Sequence, residues 1–380
     1  MQLAQVCSGS RATAVAAVLV FSTAALDAQE DWEITPQSEE ALELGLQWLA
    51  RNQGPEGNWE SNDLGLVSMG ALAFLAAGHL PGRGRYGEVV QKSLDYVIRN
   101  AKPSGLLNIA DPQRDMYNHG LSAFVLGQAH GMTNDTRLGP VLDRALKLIA
   151  STQCEDGGWD YRAHRQAHGH DLSLAVMQAK ALRSAADSGL EVPPETVELA
   201  IRSVRNYYRS QSGKRGNDDA AARAEPGQFT YDGGSATLAM AACGVVCLQE
   251  FGQNDDWRIP KNMDVIHAAV RKLKPGGRDG KVPFDGYTLY YVGQALYQVG
   301  GRHWRESYPI LRDCLIASQV RDSAHPARNG LWLDGARVSG KPGDLYGTAA
   351  GCFILAVPNR YLPILQEARS KGDAEAVRTK

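Results

Sequence analysis

Residues 153–173 read QCEDGGWDYRAHRQAHGHDLS and set His164, His168 and His170 beside Asp160 and Asp171, just ahead of an apolar run. Grouped imidazoles and carboxylates do two kinds of chemistry: they hold metal ions, or they share proton transfer with a bound ligand. The spacing of His164, His168, His170 and Asp171 matches no dedicated zinc pattern, so a metal there would need a further ligand, with His119 the candidate to supply it. Polar loop residues of this kind are also ordinary solvated groups. The sequence assigns no metal and no cofactor: it has no nucleotide loop, nucleophile elbow or dedicated metal motif.

What positions this loop is a repeat. QGPEGNW at 53–59 and QCEDGGW at 153–159 share the pattern Q-x-x-x-G-x-W, with weaker versions from Ser210 to Asp232 and from Ser318 to Asp334, the last carrying Gly330 and Trp332. Each turn follows a segment with apolar residues at helical spacing, such as ALELGLQWLARN or VLDRALKLIAST, and precedes a more apolar one, such as HDLSLAVMQAKALRSA or GYTLYYVGQALYQVG. The unit is helix, Gly-rich turn, helix.

A small hydroxyl residue near the start of each second helix anchors the units at Ser68, Ser122, Ser173, Ser235, Thr288 and Thr348, giving six. The first helices carry charged faces and the second are apolar nearly all round, with no polar capping unit at either end. A closed ring of six outer and six inner helices, an all-α (α/α)6 toroid, accounts for both. Gln side chains are expected to bond backbone groups at helix ends, and Trp59 and Trp159 to pack as scaffold.

Six inner helix N-termini would then meet at one mouth, which should prefer anionic or acceptor-rich ligands. Three residues before each anchor stand Gly65, His119, His170, Asp232, Asp285 and Leu345, with Asp344 one place earlier in the last unit. Asp232 and Asp285 are candidate acids or bases, and His119 and His170 candidate proton donors or ligands. Tyr231, Tyr287, Tyr346 and Asp344 are candidate ligand contacts, with Asp160, Tyr161, Arg162, His164, Arg165 and His168 in the third turn. Each Asp taken alone is also an ordinary N-cap.

These turns resemble the QW motif of squalene and terpenoid cyclases, and the six units resemble the α/α toroid of those cyclases and of protein prenyltransferase β subunits, over residues 35–365. The resemblance implies a ligand in a central cavity, while its catalytic motifs are largely missing. The prenyltransferase zinc set D-x-C with D-x-Y-H-T meets FDGYTLYY and GDLYGTAA, so Asp285 is kept but Tyr287 stands for the Cys and Gly347 for the His. No D-x-D-D of the cyclases occurs. NDD at 217–219 and QNDD at 253–256 lie in polar connections expected to be solvated.

A formal net charge of -2 over 380 residues gives no reason to expect a nucleic-acid partner. Arg11 precedes ATAVAAVLVFSTAAL, an apolar run suited to an export signal over residues 1–28, or to an uncleaved anchor. Removal of the signal leaves no membrane span. The expected domain covers residues 29–365, followed by a polar tail at 366–380, and the expected location is periplasmic or extracellular. After Cys7, the remaining five cysteines read as small buried hydrophobes. The insertion SGKRGNDDAAARAEPG at 212–227 reads as a mobile surface loop, with a lid over the mouth as the alternative.

Three functions follow. The first is an exported cyclase- or prenyltransferase-like protein with an isoprenoid or other apolar, amphiphilic ligand in an apolar bore. The second is a non-catalytic scaffold of the cell envelope, with no protein partner indicated. The third is a polysaccharide-degrading toroid using Trp159, Trp332, Tyr231, Asp160 and Asp334.

Overall fold

Capping residues and Gly-rich turns divide the chain into helical hairpins in the computed structural model, which describes residues 32–214, 220–276, 280–333 and 343–366. The signal segment, the tail beyond Gln366 and Asp334 lie outside the described residues. In chain order the elements are α1 (Pro36–Asn52), α2 (Leu64–Ala76), α3 (Gly87–Arg99), α4 (Asp115–Met132), α5 (Leu138–Thr152), α6 (Leu172–Asp187) and α7 (Pro194–Asn206). After them come β1 (Tyr208–Ser210), α8 (Ala220–Ala224), β2 (Gly227–Phe229), α9 (Leu238–Glu250), α10 (Arg258–Val270), α11 (Gly286–Val299), α12 (Gly301–Ser318) and α13 (Asp344–Ala356).

The first helix shows how the sequence starts these elements. Thr35 Oγ1 accepts from Ser38 N–H at 3.1 Å, Ser38 Oγ accepts from Thr35 N–H at 2.9 Å, and Pro36 occupies the first turn, where its missing N–H is no loss. Outer helices bury one stripe only: in α3, Val90, Ser93, Leu94 and Val97 face inward. Inner helices are enclosed on every side, and in α2 only Leu66 escapes full burial. Inner neighbours pack in the order α2, α4, α6, α9, α11, α13, and α13 returns against α2. The ring is closed, as the apolar second helices require, since an open solenoid would leave one such face in water.

Three turns staple the outer helices. Gln53 Nε2 donates to Val89 O at 2.9 Å, Gln153 Nε2 to Thr196 O at 2.9 Å, and Gln319 Nε2 to Ala41 O at 2.8 Å, each reaching the start of the next outer helix. Trp59, Trp159 and Trp332 donate their indole N–H to Leu49 O, Ile149 O and Leu315 O, near the end of their own outer helix. Gly157, at φ 88°, lies against Leu199 of α7, where a Cβ would meet the Leu199 carbonyl. Trp59 lies on Gly70 of α2, where a Cβ would come within 2.7 Å of the indole.

The bore differs from the apolar channel expected beneath the mouth. Tyr287, Tyr290, Tyr291, Met177, Cys243 and Phe353 fill it and are all buried. Deeper in, Lys180 Nζ lies 3.3 Å from Glu250 Oε1, hydrogen-bonds Gln294 and sits 4.1 Å from the centre of the Phe124 ring. At the far end the segment 361–366 covers the inner helix C-termini: Tyr297 donates to Leu365 O, and Gln128 accepts from Ile364 N–H. Tyrosines take up the space that a chain of small residues alone would leave open.

The described part of the insertion at 212–227 is mostly exposed, as a surface excursion would be, with only Ala222 buried, but it is tied to the ring. It connects the paired strands β1 and β2, contains α8, and is held to α10 through Lys261, which donates to the carbonyls of Arg223 and Glu225. The cysteines described, Cys154, Cys243, Cys247, Cys314 and Cys352, are free thiols and buried. Among the described residues no helix is long and apolar enough to cross a membrane.

Candidate functional site at the inner helix N-termini

Carboxylates occupy the starts of five inner helices. Asp63, Asp171 and Asp285 are N-caps of α2, α6 and α11, Asp115 and Asp344 are the first residues of α4 and α13, and Thr237 caps α9. Asp63 accepts from Leu66 N–H at 2.9 Å; Asp285 Oδ1 accepts from Thr288 N–H at 2.9 Å, and its Oδ2 from Thr288 Oγ at 2.6 Å. Asp63, Asp171 and Asp285 each accept from one or two first-turn amides, and all five negative charges offset the positive helix ends. The mouth is therefore not the anion-seeking site that bare N-termini would make, and it favours ligands that donate hydrogen bonds.

Only Asp285 of the six ring positions expected from the hydroxyl anchors is a cap. His119 lies a full turn inside α4, wholly buried, with Nδ1 accepting from Leu107 N–H at 3.1 Å and Nε2 3.1 Å from Ala145 O. Ala101 stands where Gln53 and Gln153 stand in their turns, four residues before a positive-φ glycine, and His119 ties this turn to α5 instead. Burial holds its imidazole at about 4, so it is neutral, donates through Nε2 and is no proton donor at the mouth. Tyr287 and Tyr346 are buried in the bore and Trp159 and Trp332 in the scaffold, which removes them as surface contacts.

Asp232 is exposed in the loop ahead of α9, its Oδ1 accepting from Gly234 N–H at 3.0 Å, and Asp344 is exposed at the start of α13. His170 is exposed, its ring 4.6 Å from that of Tyr161. The other loop histidines face different partners: His164 pairs with Asp160 at 3.2 Å and His168 with Asp156 at 3.6 Å. Among the described residues no three His, Cys, Asp or Glu side chains gather as metal ligands.

The strongest polar constellation centres on Asp171, 1% exposed. Its Oδ1 accepts from Ser173 N–H at 2.9 Å, Leu174 N–H at 3.2 Å and Ser173 Oγ at 2.5 Å, and its Oδ2 accepts from Tyr161 Oη at 2.5 Å. Tyr161 Oη lies 2.5 Å from Tyr231 Oη, and Ser173 Oγ bonds Tyr117 Oη. Each hydroxyl has one proton. Tyr161 and Ser173 give theirs to Asp171, so Tyr231 and Tyr117 give theirs to Tyr161 and Ser173. Two phenol arms are thus oriented by one carboxylate, and half-buried Tyr231, with its proton given to Tyr161, keeps its oxygen as an acceptor.

Burial, then the hydrogen bond to Asp171, pushes the Tyr161 phenol far up; burial, then the Asp171 charge, does the same for Tyr117, and burial raises Tyr231. All three stay protonated near neutral pH. Asp115 fixes the loop beneath, accepting from Asn108 Nδ2 at 2.7 Å and Ala163 N–H at 3.2 Å, while Met116 N–H donates to Tyr161 O at 3.0 Å. Tyr117, Ser173 and Asp171 were not placed in the ring by the anchors. An aspartate directly ahead of three of the six apolar runs, at Asp63, Asp171 and Asp285, is the signal that aligns them.

No protein-family model matches the sequence, and no curated protein does. Among solved structures the chain is similar to the GH76A alpha-1,6-mannanase from Salegentibacter sp. HEL1_6, at 12% identity and TM-score 0.58, over 86% of this chain and 98% of that one. It is similar to cellobiose 2-epimerase from Bacillus thermoamylovorans B4167, at 11% identity and TM-score 0.54, over 84% and 98%. The type II terpene cyclase MstE from Scytonema follows at 14% identity and TM-score 0.48, over 86% and 99%. At these identities the likeness is one of fold, and it does not single out the cyclase and prenyltransferase superfamily. The chain is an α/α toroid, shared with enzymes of different chemistry.

Proposed function

We propose that this is an exported toroid protein that binds and acts on a saccharide at the inner helix N-termini. The observation that carries the reading is the Asp171–Tyr161–Tyr231 chain beside an exposed His170. Lone pairs of an oriented phenol accept a sugar hydroxyl, and the imidazole and Tyr161 rings offer a face to the apolar side of a pyranose. Asp232, exposed and next in sequence to Tyr231, is the candidate acid or base, with Asp285 as its partner carboxylate. Two structural neighbours are named for saccharide activities, which supports the reading at the level of fold.

The filled bore weighs against an isoprenoid ligand there, since Tyr287, Tyr290 and Tyr291 leave it no space. The test is calorimetric binding of α-1,6-mannotriose, cellobiose and a panel of neutral oligosaccharides, beside an isoprenoid alcohol. Saturable binding of at least one saccharide, weakened about tenfold by Tyr231→Phe, is the expected result. Product analysis with Asp232→Asn then separates binding from catalysis. Binding of the isoprenoid alone would overturn the proposal.

A further inference from the structure

A second polar site lies after the C-terminus of α9, about 20 Å along that helix from the mouth. Arg258 Nη1 donates to Asp256 Oδ1 at 2.9 Å and Oδ2 at 3.1 Å, Arg205 Nε donates to Asp256 Oδ2 at 2.9 Å, and Arg205 Nη2 to Gln253 Oε1 at 3.0 Å. The side chains of Arg258 and Asp256 are only 1% and 2% exposed, so the QNDD aspartate expected in solvent is instead the centre of a buried cluster. Two guanidinium groups, the buried Arg258 and the partly exposed Arg205, share the one buried carboxylate of Asp256. A buried guanidinium that is only partly paired is costly.

Arg258 Nε and Nη2 have no hydrogen-bond partner among the described residues. That edge of a guanidinium grips a carboxylate or phosphate side-on through two parallel bonds. The Trp257 ring, 4.3 Å from Arg258 Cζ, offsets part of the charge but gives these N–H groups no oxygen. A cavity of about 370 Å³ opens against the cluster, lined by Arg205, Arg223, Arg258, Asn254, Asp255 and Trp257 among others. Asn254 Oδ1 is buried there without a donor.

We propose that this cavity binds a small oxyanion carried on a hydroxylated skeleton, of the class of a uronate, an aldonate or a sugar phosphate. The anion meets Arg258 and Arg223, and a ligand hydroxyl donates to Asn254. The site is independent of the saccharide reading of the mouth.

The test is calorimetric titration of the full chain with glucuronate, gluconate, glucose 6-phosphate and inorganic phosphate, with glucose as the neutral control. The expected result is saturable binding of at least one organic anion that weakens with added salt, no binding of glucose at this site, and unchanged anion affinity in Tyr231→Phe. Arg223→Gln should weaken binding about tenfold, and Arg258→Lys, which keeps the charge but loses the fork, at least as much. Circular dichroism establishes that each variant is folded; if Arg258→Lys is not, the exposed Arg223→Gln carries the test. Absence of anion binding, or full affinity in a folded Arg223→Gln, overturns the proposal. Inorganic phosphate binding as tightly as every organic anion overturns its hydroxylated part.

Discussion

Gln319, at the end of the last outer helix, hydrogen-bonds Ala41 in the first, 278 residues away in sequence, while the same amide group holds Gly330 O at 3.0 Å. The bond repeats the Gln53–Val89 and Gln153–Thr196 links between consecutive units, so the ring closes with the device that builds it.

Replacing Gln319 by Ala removes both bonds and leaves two carbonyls short of a buried donor. The expected loss is about 1–3 kcal/mol, read from urea unfolding at constant slope. An unchanged midpoint would mean that packing alone closes the ring.

Gly157 and Gly189 separate strain from collision. Both have positive φ, 88° and 79°, but a Cβ at Gly157 meets the Leu199 carbonyl while nothing lies within 4 Å at Gly189. Gly189→Ala should cost about 1–2 kcal/mol from the left-handed backbone, and Gly157→Ala about 1–3 kcal/mol more because α7 must shift. Equal thermal midpoints for the two variants would contradict this.

His119 makes stability depend on acid. Its folded value of about 4 lies below the unfolded 6.5, so the unfolded chain binds more protons between them, and stability falls as pH drops from 6.5 through 4. The contribution lost is about 3 kcal/mol at most. Urea unfolding at pH 7 and pH 4 should show a smaller loss in His119→Gln, whose amide can make the same two bonds without titrating.

Lys180 and Glu250 are mutually dependent inside the bore. Lys180→Met leaves the Glu250 carboxylate buried without its cation and should cost about 3–5 kcal/mol, whereas Lys180→Met with Glu250→Gln should recover much of that. If the double variant is no more stable than the single one, the pair does not couple as described.

The candidate site was legible in its residue types and displaced in its register. Ser173 and Thr288 fall in the first turn of their helices, but Ser122 lies two turns inside α4 and Ser235 precedes α9. A fixed offset from the hydroxyls therefore reached a cap at Asp285, the helix interior at His119 and a loop at Asp232. Cap position depends on where the chain enters the ring, which the periodicity of a buried helix does not record.

By itself the sequence determined six helical hairpins, the Gln and Trp turns and a closed ring, because amphipathic spacing, positive-φ glycines and all-round apolar helices are local properties of the chain. Tertiary structure alone decided that the bore is filled by Tyr287, Tyr290 and Tyr291, that Asp171 gathers Tyr161, Tyr231, Ser173 and Tyr117, and that Asp256 is buried between two arginines. These are contacts between side chains from different units. Their existence depends on how neighbouring helices are staggered, and that stagger is set by packing around the whole ring.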